Sequence, residues 1–149
     1  AVRSLPRVQG ELRVSHAAIQ AALLALEAAQ PLGGLTRATH AAALCYADGR
    51  LGPVREDVGR HNALDKVIGA AATAGLATSD AFLVVTSRCS YEMVEKAAMA
   101  GVQILVAISA PTALALDKAR EAGITVIALA RADGHTIFTH PERITEGPT

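Results

Sequence analysis

The sequence has 149 residues with 14 basic and 14 acidic side chains, so its formal net charge at pH 7 is zero. Hydrophobic residues make up 51% of the chain, whereas aromatic residues make up only 3%. Balanced charge argues against a nucleic-acid-binding face, and the scarcity of aromatic rings argues against a base-stacking platform. No apolar run reaches the roughly 20 residues of a membrane span, and no secretory signal is visible. We therefore expect one cytoplasmic domain without nucleic-acid or membrane partners.

The first predicted elements are a helix and a β-hairpin. Ser15 can cap a helix whose apolar positions recur at helical spacing; they are Ile19, Ala22, Leu23 and Leu26. Turn-forming residues then signal the helix end, namely Pro31, Gly33 and Gly34. Residues 40–46 and 51–56 are predicted strands, and the Asp48-Gly49 pair between them is a hairpin signal.

A charged segment at residues 55–66, Arg-Glu-Asp-Val-Gly-Arg-His-Asn-Ala-Leu-Asp-Lys, interrupts this largely apolar chain. It follows a predicted strand and opens a predicted helix, because apolar residues recur at helical spacing towards its end. Gly59 lies at the turn, where a residue without Cβ can adopt a positive φ. Arg60, His61 and Asn62 are therefore expected at a helix N-terminus, a place that binds anions and phosphate above all. A solvated, salt-bridged cap is the alternative.

A regular alternation of strands and helices occupies the rest of the chain. Strands are predicted at residues 82–86, 104–108 and 125–130, and helices at 90–100 and 112–122. Continuous apolar strands separated by helices indicate a parallel sheet covered on both faces. Residues 135–140 are predicted to return as an edge strand after the Asp133-Gly134 turn, and the residues from Pro141 onwards are predicted to form a tail.

Polar segments follow the predicted strands at residues 57–62, 86–90, 109–112 and 131–134, and each alone can be a helix cap or a turn. The carboxyl ends of parallel strands and the adjacent helix N-termini form the ligand crevice of such a sheet. Here they collect hydroxyl groups with Arg60, Arg88 and Arg131, which indicates a phosphate-rich small molecule. Pro111 suits a first helical turn. Neither a Walker A loop nor a Gly-x-Gly-x-x-Gly fingerprint is present, which disfavours an ordinary NTPase or dehydrogenase.

The two cysteines do not form a Cys-x-x-Cys pair, so no zinc ribbon or thioredoxin-like motif exists in this sequence. Cys45 is expected to be buried in a strand. Cys89 precedes a predicted helix, a position that lowers a thiol pKa, which makes it a candidate reactive thiol, with burial as the favoured alternative. His61 and Cys89 stand where zinc-dependent deaminases hold metal ligands. The glutamate and the Pro-Cys-x-x-Cys pair of that class are missing, so no zinc is expected.

Several motifs together resemble the FdhD family, the formate dehydrogenase accessory sulfurtransferases. Thr-His-Ala-Ala-Ala-Leu at residues 39–44 and the charged segment at 55–66 carry the resemblance. Thr-Ser-Arg-Cys-Ser-Tyr-Glu-Met-Val at 86–94, Ser-Ala-Pro-Thr at 109–112 and Thr-His-Pro-Glu-Arg at 139–143 follow in the order of the family. The resemblance extends over nearly the whole chain.

The resemblance implies a three-layer α/β/α sandwich with a mixed, mainly parallel sheet, similar to cytidine deaminase but without zinc. It also implies a homodimer that accepts sulfur from a cysteine desulfurase as a persulfide. The sulfur passes to molybdenum bis-molybdopterin guanine dinucleotide, the cofactor of formate dehydrogenase, whose nucleotide part GDP can mimic. The binding residues expected from the resemblance and from the predicted crevice are Leu129, Ala130, Arg131, Ala132, Asp133, Gly134, His40, Asp57, Arg60, His61, Asn62, Ser87, Arg88 and Ser109.

Four departures from the family pattern shape these expectations. The family typically has an aromatic residue where this chain has Leu129, and Phe-Asn where it has His135-Thr136. Its sulfur-carrying Cys-x-x-Cys loop and β-rich N-terminal portion have no counterpart in these 149 residues. We therefore expect the C-terminal, cofactor-binding domain of a longer sulfurtransferase, inactive by itself. A non-catalytic nucleotide-binding or scaffold domain on the same fold is the alternative.

Overall fold

The computed structural model describes residues 7–8, 10–29, 40–131 and 134–146. Their regular elements are, in chain order, β1 (Val14–Ser15), α1 (His16–Ala28), β2 (His40–Tyr46), β3 (Leu51–Asp57), α2 (Arg60–Ala74), β4 (Ala81–Val85), α3 (Tyr91–Met99), β5 (Ile104–Ala107), α4 (Ala113–Ala122), β6 (Thr125–Arg131), β7 (Gly134–Ile137) and β8 (Ile144–Thr145). Short 3-10 helices occupy Thr78–Asp80 and Pro141–Arg143.

Six strands form one mixed sheet in the order β3-β2-β4-β5-β6-β7. The pairs β4–β5 and β5–β6 are parallel, whereas β2 is antiparallel to both of its neighbours and β7 is antiparallel to β6. Strands β3, β4, β5 and β6 therefore point one way, and β2 and β7 point the other way. The predicted α/β architecture with a mixed, mainly parallel sheet is confirmed.

Helices cover both faces of this sheet because successive side chains along each strand point alternately into two apolar cores. One face packs against α2, α3 and α4 through the alternate strand residues Ala42, Leu44, Leu83, Val85, Leu105, Ala107, Val126 and Ala128. The other face packs against α1 through Ala41, Ala43, Cys45, Phe82, Val84, Ile104, Val106 and Ile127. Since every second side chain of a strand points to the same face, two helical layers are needed to bury both sets.

Local signals fix the first helix and the hairpin as predicted. Ser15 Oγ accepts a hydrogen bond of 3.0 Å from the Ala18 backbone, which caps α1. Between β2 and β3, Gly49 has a φ of 96°, a conformation that glycine adopts without a Cβ clash. The proposed stop signal at Pro31, Gly33 and Gly34 lies outside the described residues, and α1 ends at Ala28.

The structure differs from the sequence prediction in three places, two of them after β6 and one before α4. The edge strand spans Gly134–Ile137 and not residues 135–140. The predicted tail instead continues into a 3-10 helix and then into β8, which pairs in parallel with β1. Pro111 precedes Thr112, the N-cap of α4, so it is not in the first helical turn. Pro111 instead forms an isolated bridge with Cys89, which ties two loops together.

Among the described residues, none of the helices has the length and apolarity needed to cross a bilayer.

Candidate functional site

The sheet topology brings the predicted polar segments to one side, which we call the carboxyl edge because β3, β4, β5 and β6 end there. Strand β2 begins at the same edge, since His40 pairs with Asp57 at the end of β3. Ala41 and Thr86 exchange two hydrogen bonds, one of 2.9 Å to the Thr86 hydroxyl and one of 3.0 Å from the Thr86 backbone. The carboxyl edge thus joins the start of one strand to the loops that follow four others.

Helix α2 begins at the carboxyl edge without a side-chain cap. Its N-cap is Gly59, with a φ of −100°, so the predicted positive φ at this glycine is wrong. Space is the reason for a small residue here, because a Cβ would lie 3.2 Å from Asn62 Nδ2 and 3.5 Å from Asp57 Oδ1. The first turn of α2 carries no acidic residue. The predicted helix N-terminus at residues 60–62 is confirmed, and the binding of an anion by its leading N–H groups stays a prediction.

Asp57 has an anchoring role in the turn before α2. Its Oδ1 accepts a hydrogen bond of 2.8 Å from the Gly59 backbone, and its Oδ2 accepts one of 2.6 Å from Lys66 Nζ. These contacts, led by the one from Lys66, lower the pKa of Asp57 to about 2. Asn62 Nδ2 lies 3.4 Å from the same carboxylate. Asp57 and Asn62, both predicted as binding residues, therefore have contacts within the turn itself.

Three arginines supply positive charge at the carboxyl edge. Arg60 begins α2, Arg88 lies in the loop after β4, and Arg131 ends β6, and all three are exposed. Within the described ranges, none of them forms an ion pair with a carboxylate. Exposed guanidinium groups that are not paired with a carboxylate are suited to bidentate hydrogen bonds with phosphate oxygens.

Four buried side-chain atoms near the carboxyl edge make no hydrogen bond with the described part of the chain. They are the hydroxyl oxygens of Ser87 and Ser90, which are 5% and 8% exposed, Nδ1 of His61 and Oε1 of Glu56. Buried polar groups in native proteins are nearly always paired. The two hydroxyl groups and the imidazole are candidate ligand contacts, whereas the Glu56 carboxylate would repel an anion.

The segment that ends β6 carries a strained residue. Leu129 has a φ of 54°, in a region that costs a residue with a Cβ roughly 1 to 2 kcal/mol. Its backbone N–H donates to the Ser109 carbonyl at 3.3 Å, and its side chain is 45% exposed. Strain of this kind collects at functional sites. Ala130 is buried, Arg131 pairs with Gly134, and Ala132 and Asp133 lie outside the described residues.

Neither cysteine is placed as a reactive thiol. Both are buried with no exposed surface, and burial raises the pKa of each to about 12. The predicted lowering of the Cys89 pKa is wrong, because desolvation outweighs the neighbouring helix N-terminus. The prediction of a buried Cys45 in a strand is confirmed. Among the described residues, no group of three or more histidine, cysteine or acidic side chains is arranged to hold a metal ion.

The sequence did not predict two features of this side of the molecule. His135, directly after Gly134, has its Nε2 at 2.7 Å from His16 Nδ1 and its Nδ1 at 2.6 Å from Gln20 Nε2. Burial, and then the charge of His16, lowers the pKa of His135. The second feature is Glu92 in the first turn of α3. Only the four-residue spacing between Glu92 and Lys96 hinted at a shared helix face.

The comparisons with known proteins agree with this architecture. The profile of the FdhD/NarQ family matches residues 1–145. A sulfur carrier protein FdhD from Xanthomonas euvesicatoria pv. vesicatoria is 50% identical over 146 residues, covering 98% of this chain and 52% of the relative. The protein of the same name from Cupriavidus necator is 52% identical over 126 residues, covering 85% of this chain and 44% of the relative.

A solved structure gives the same result. The crystal structure of a candidate formate dehydrogenase accessory protein from Desulfotalea psychrophila superimposes with a TM-score of 0.85 at 32% identity, covering 94% of this chain and 59% of the other. The chain thus spans about half the length of the curated relatives that it matches. It belongs to the FdhD/NarQ family.

Proposed function

We propose that this chain is the cofactor-binding part of a sulfur carrier that serves formate dehydrogenase, and that the carboxyl edge holds a guanine nucleotide. The observation that carries the proposal is the convergence there of an uncapped helix N-terminus, three exposed arginines, and the Ser87 hydroxyl and His61 Nδ1, which are buried and have no hydrogen-bond partner in the described part of the chain. The relatives named sulfur carrier protein FdhD and the related accessory protein support the wider role.

The residues at the carboxyl edge fit the nucleotide part of molybdenum bis-molybdopterin guanine dinucleotide. Arg60, Arg88 and Arg131 would hold its phosphates, and the exposed Leu129 would contact its apolar surfaces. When bound, the cofactor supplies the molybdenum centre that receives the sulfur. The part played by this chain is to bind and orient it, with a cysteine desulfurase as the sulfur donor, formate dehydrogenase as the recipient and a homodimer as the assembly.

Calorimetric titration of the chain with GDP tests the nucleotide assignment. We expect binding that Arg60→Ala and Arg131→Ala each weaken about tenfold to hundredfold, because each removes a charge-assisted contact of roughly 1.5 to 3 kcal/mol. Arg120→Ala is the matched control, since Arg120 is exposed in α4 and pairs only with Asp117 at 3.1 Å. Absence of GDP binding, or equal effects of all three variants, would show that the site is misplaced.

A second experiment separates sulfur chemistry from binding. Because Cys45 and Cys89 are buried with pKa values raised to about 12, we propose that neither carries the persulfide. Incubation of the chain with a cysteine desulfurase and cysteine should leave its intact mass unchanged. A stoichiometric gain of one sulfur atom that Cys89→Ala abolishes would instead make Cys89 the carrier. A nucleotide-binding scaffold without sulfur chemistry is the second candidate, and the burial of both thiols is the observation that favours it.

A further inference from the structure

The outward face of α1 is apolar, although it lies at the surface of the described structure. Its exposed positions recur three or four residues apart and share an apolar side chain; they are Ala17, Ala21, Leu24 and Ala28. The helix contains no lysine or arginine, and Glu27 is its only acidic residue. A surface helix normally carries charged residues on its outer face, so this composition is typical of a helix that is covered on both sides.

An open groove of about 510 Å³ borders this face of α1. The groove is lined by Arg13, Ser15, Ala17, Ala18, Ala21, Ala47, Asp48 and Thr145. The lining residues within the helix itself are all alanines, whose short side chains leave room for a larger apolar group. Leu24 lies about one turn beyond Ala21 on the same face and is 54% exposed. The face therefore carries both a protruding leucine and a groove in which a leucine can pack.

Two copies of this face are complementary to each other when the helices run antiparallel. With a two-fold axis beside residues 20 and 21, Leu24 of each copy lies opposite Ala17 of the other. The same register places Glu27 opposite residues 13 and 14, so that its carboxylate can pair with Arg13. Both groups are exposed, and neither forms an ion pair within the described ranges. Opposite charges at the two ends of one face favour the antiparallel register over a parallel one.

The edges of the central sheet are less suited to the same association. In the edge strand β3, the Val54 carbonyl accepts a hydrogen bond of 2.7 Å from Arg55 Nη1. The Glu56 carbonyl accepts one of 3.4 Å from Lys66 Nζ, and Pro53 has no backbone N–H to offer to a further strand. The other edge strand, β7, has only four residues. Features of this kind protect sheet edges from pairing with another chain, which favours the α1 face as the contact surface.

We propose that two copies of the chain associate through the outward face of α1, with Leu24 of each copy in the groove of the other and Glu27 paired with Arg13 across the contact. The inference rests on the homodimer of the proposed function and assigns a surface to it. A 13-residue helix is about 20 Å long, so the contact is smaller than a standard interface of about 1,600 Å². We therefore expect a reversible dimer with a dissociation constant in the micromolar range.

Sedimentation velocity of the 149-residue chain at concentrations between about 1 and 200 µM tests this surface. We expect a monomer–dimer equilibrium that Leu24→Glu weakens at least about tenfold, because the variant places two charges inside an apolar contact. Leu114→Glu is the matched control, since Leu114 lies in α4 with a similar exposure of 53%. This control should leave the equilibrium unchanged.

A charge exchange tests the antiparallel register. Glu27→Arg and Arg13→Glu should each weaken the dimer about threefold to tenfold, because each brings like charges together at both ends of the contact. The double variant should regain the affinity of the parent chain, because the exchanged charges pair again. Weakening by both single variants without recovery in the double variant would show that Glu27 and Arg13 do not meet across the contact.

The outcomes separate this inference from the proposed function. If the chain dimerises but Leu24→Glu and Leu114→Glu have equal effects, the surface is wrong and the homodimer stands. If the chain stays monomeric throughout this range, both the surface and the homodimer are wrong, whereas the titration with GDP still decides the nucleotide site. Thermal melting of each variant, unchanged from the parent chain, shows that a changed equilibrium is not a folding defect.

Discussion

The two ends of the central sheet both carry buried polar side chains, but these differ in whether they have hydrogen-bond partners. At the carboxyl edge, the Ser87 hydroxyl and His61 Nδ1 have no partner within the described ranges. At the opposite end, which we call the amino edge, the Arg143 guanidinium donates to the Gly123 carbonyl at 2.6 Å and to the Thr125 hydroxyl at 3.1 Å. A buried polar group that is fully bonded stabilises a fold, whereas one without a partner costs stability and requires an explanation other than stability.

The largest effect is expected from Arg143→Ala at the amino edge. Arg143 is 7% exposed, and its removal leaves buried acceptors at Gly123, Thr125 and Gln103 without their charged donor. We expect the free energy of unfolding to fall by about 3 kcal/mol, measured by urea denaturation. Arg120→Ala removes an exposed arginine and should change it by less than about 0.5 kcal/mol. If Arg143→Ala lowered the free energy of unfolding by less than about 1 kcal/mol, the hydrogen bonds at the amino edge would not be major stabilising contacts.

A smaller loss is expected from Thr139→Val at the same edge. The Thr139 hydroxyl accepts from the Val126 N–H at 2.8 Å and donates to the Ile124 carbonyl at 2.7 Å. Valine keeps the volume but leaves both backbone groups unpaired, so we expect a loss of about 2 kcal/mol in the same measurement. Thr139→Ser should restore most of it. Thr73→Val, at an exposed hydroxyl in α2, is the control. Equal losses of unfolding free energy for both valine variants would show that the buried Thr139 hydroxyl stabilises the fold no more than an exposed one.

The opposite result is expected from Ser87→Ala at the carboxyl edge. Because its buried hydroxyl has no partner in the described chain, its removal should leave the free energy of unfolding unchanged or raise it by up to about 1 kcal/mol. The measurement is urea denaturation without nucleotide. If Ser87→Ala lost as much stability as Thr139→Val, the hydroxyl would be a structural group and the two edges would be alike.

The smallest effect is a pH dependence at His135, which joins β7 to α1. Burial, and then the charge of His16, lowers its pKa in the folded state below the ordinary 6.5. The unfolded chain therefore takes up the proton first, so the stabilising contribution is present above about pH 6.5 and is lost as the pH falls through the lower folded pKa. Gln20 and His16 are the polar groups hydrogen-bonded to its ring.

Urea denaturation from pH 7.5 down to pH 5 measures this dependence. We expect His135→Gln to flatten the slope of unfolding free energy against pH in this window, because the titrating ring is removed. His140→Gln is a control, since His140 bonds to the Arg120 carbonyl and to Glu142 at the other end of the sheet. An unchanged slope in His135→Gln would show that protonation of His135 does not account for the pH dependence of the unfolding free energy.

Local chemistry and the family motifs made much of this structure predictable. Short-range signals predicted much of the fold, and the structure follows them. They are the apolar strands that alternate with helices, the Ser15 cap and the Asp48-Gly49 turn. The convergence of polar segments at the carboxyl edge followed from strand direction alone. The burial of Cys89 was the favoured alternative, but the raised pKa of its thiol did not follow, because it depends on packing against residues far along the chain.

Long-range contacts account for the other features that were missed. His16 and His135 are 119 residues apart, and no periodicity reports that they touch. Lys96 in α3 pairs with Asp65 in α2 at 2.7 Å, and the sequence spacing gives no sign of that contact either. The assignment of residues after Pro141 as a tail failed for the same reason, since β8 is stabilised by pairing with β1 from the other end of the described chain.

That last pairing has a mechanical consequence. Strands β1 and β8 run parallel, with Val14 opposite Ile144 and Ser15 opposite Thr145. A force that pulls residue 13 and residue 146 apart therefore acts on opposite ends of the pair and shears it, so that its hydrogen bonds share the load instead of breaking one by one. Tension transmitted along the polypeptide would load this two-strand pair before it reached the six-stranded sheet and the carboxyl edge that the sheet supports.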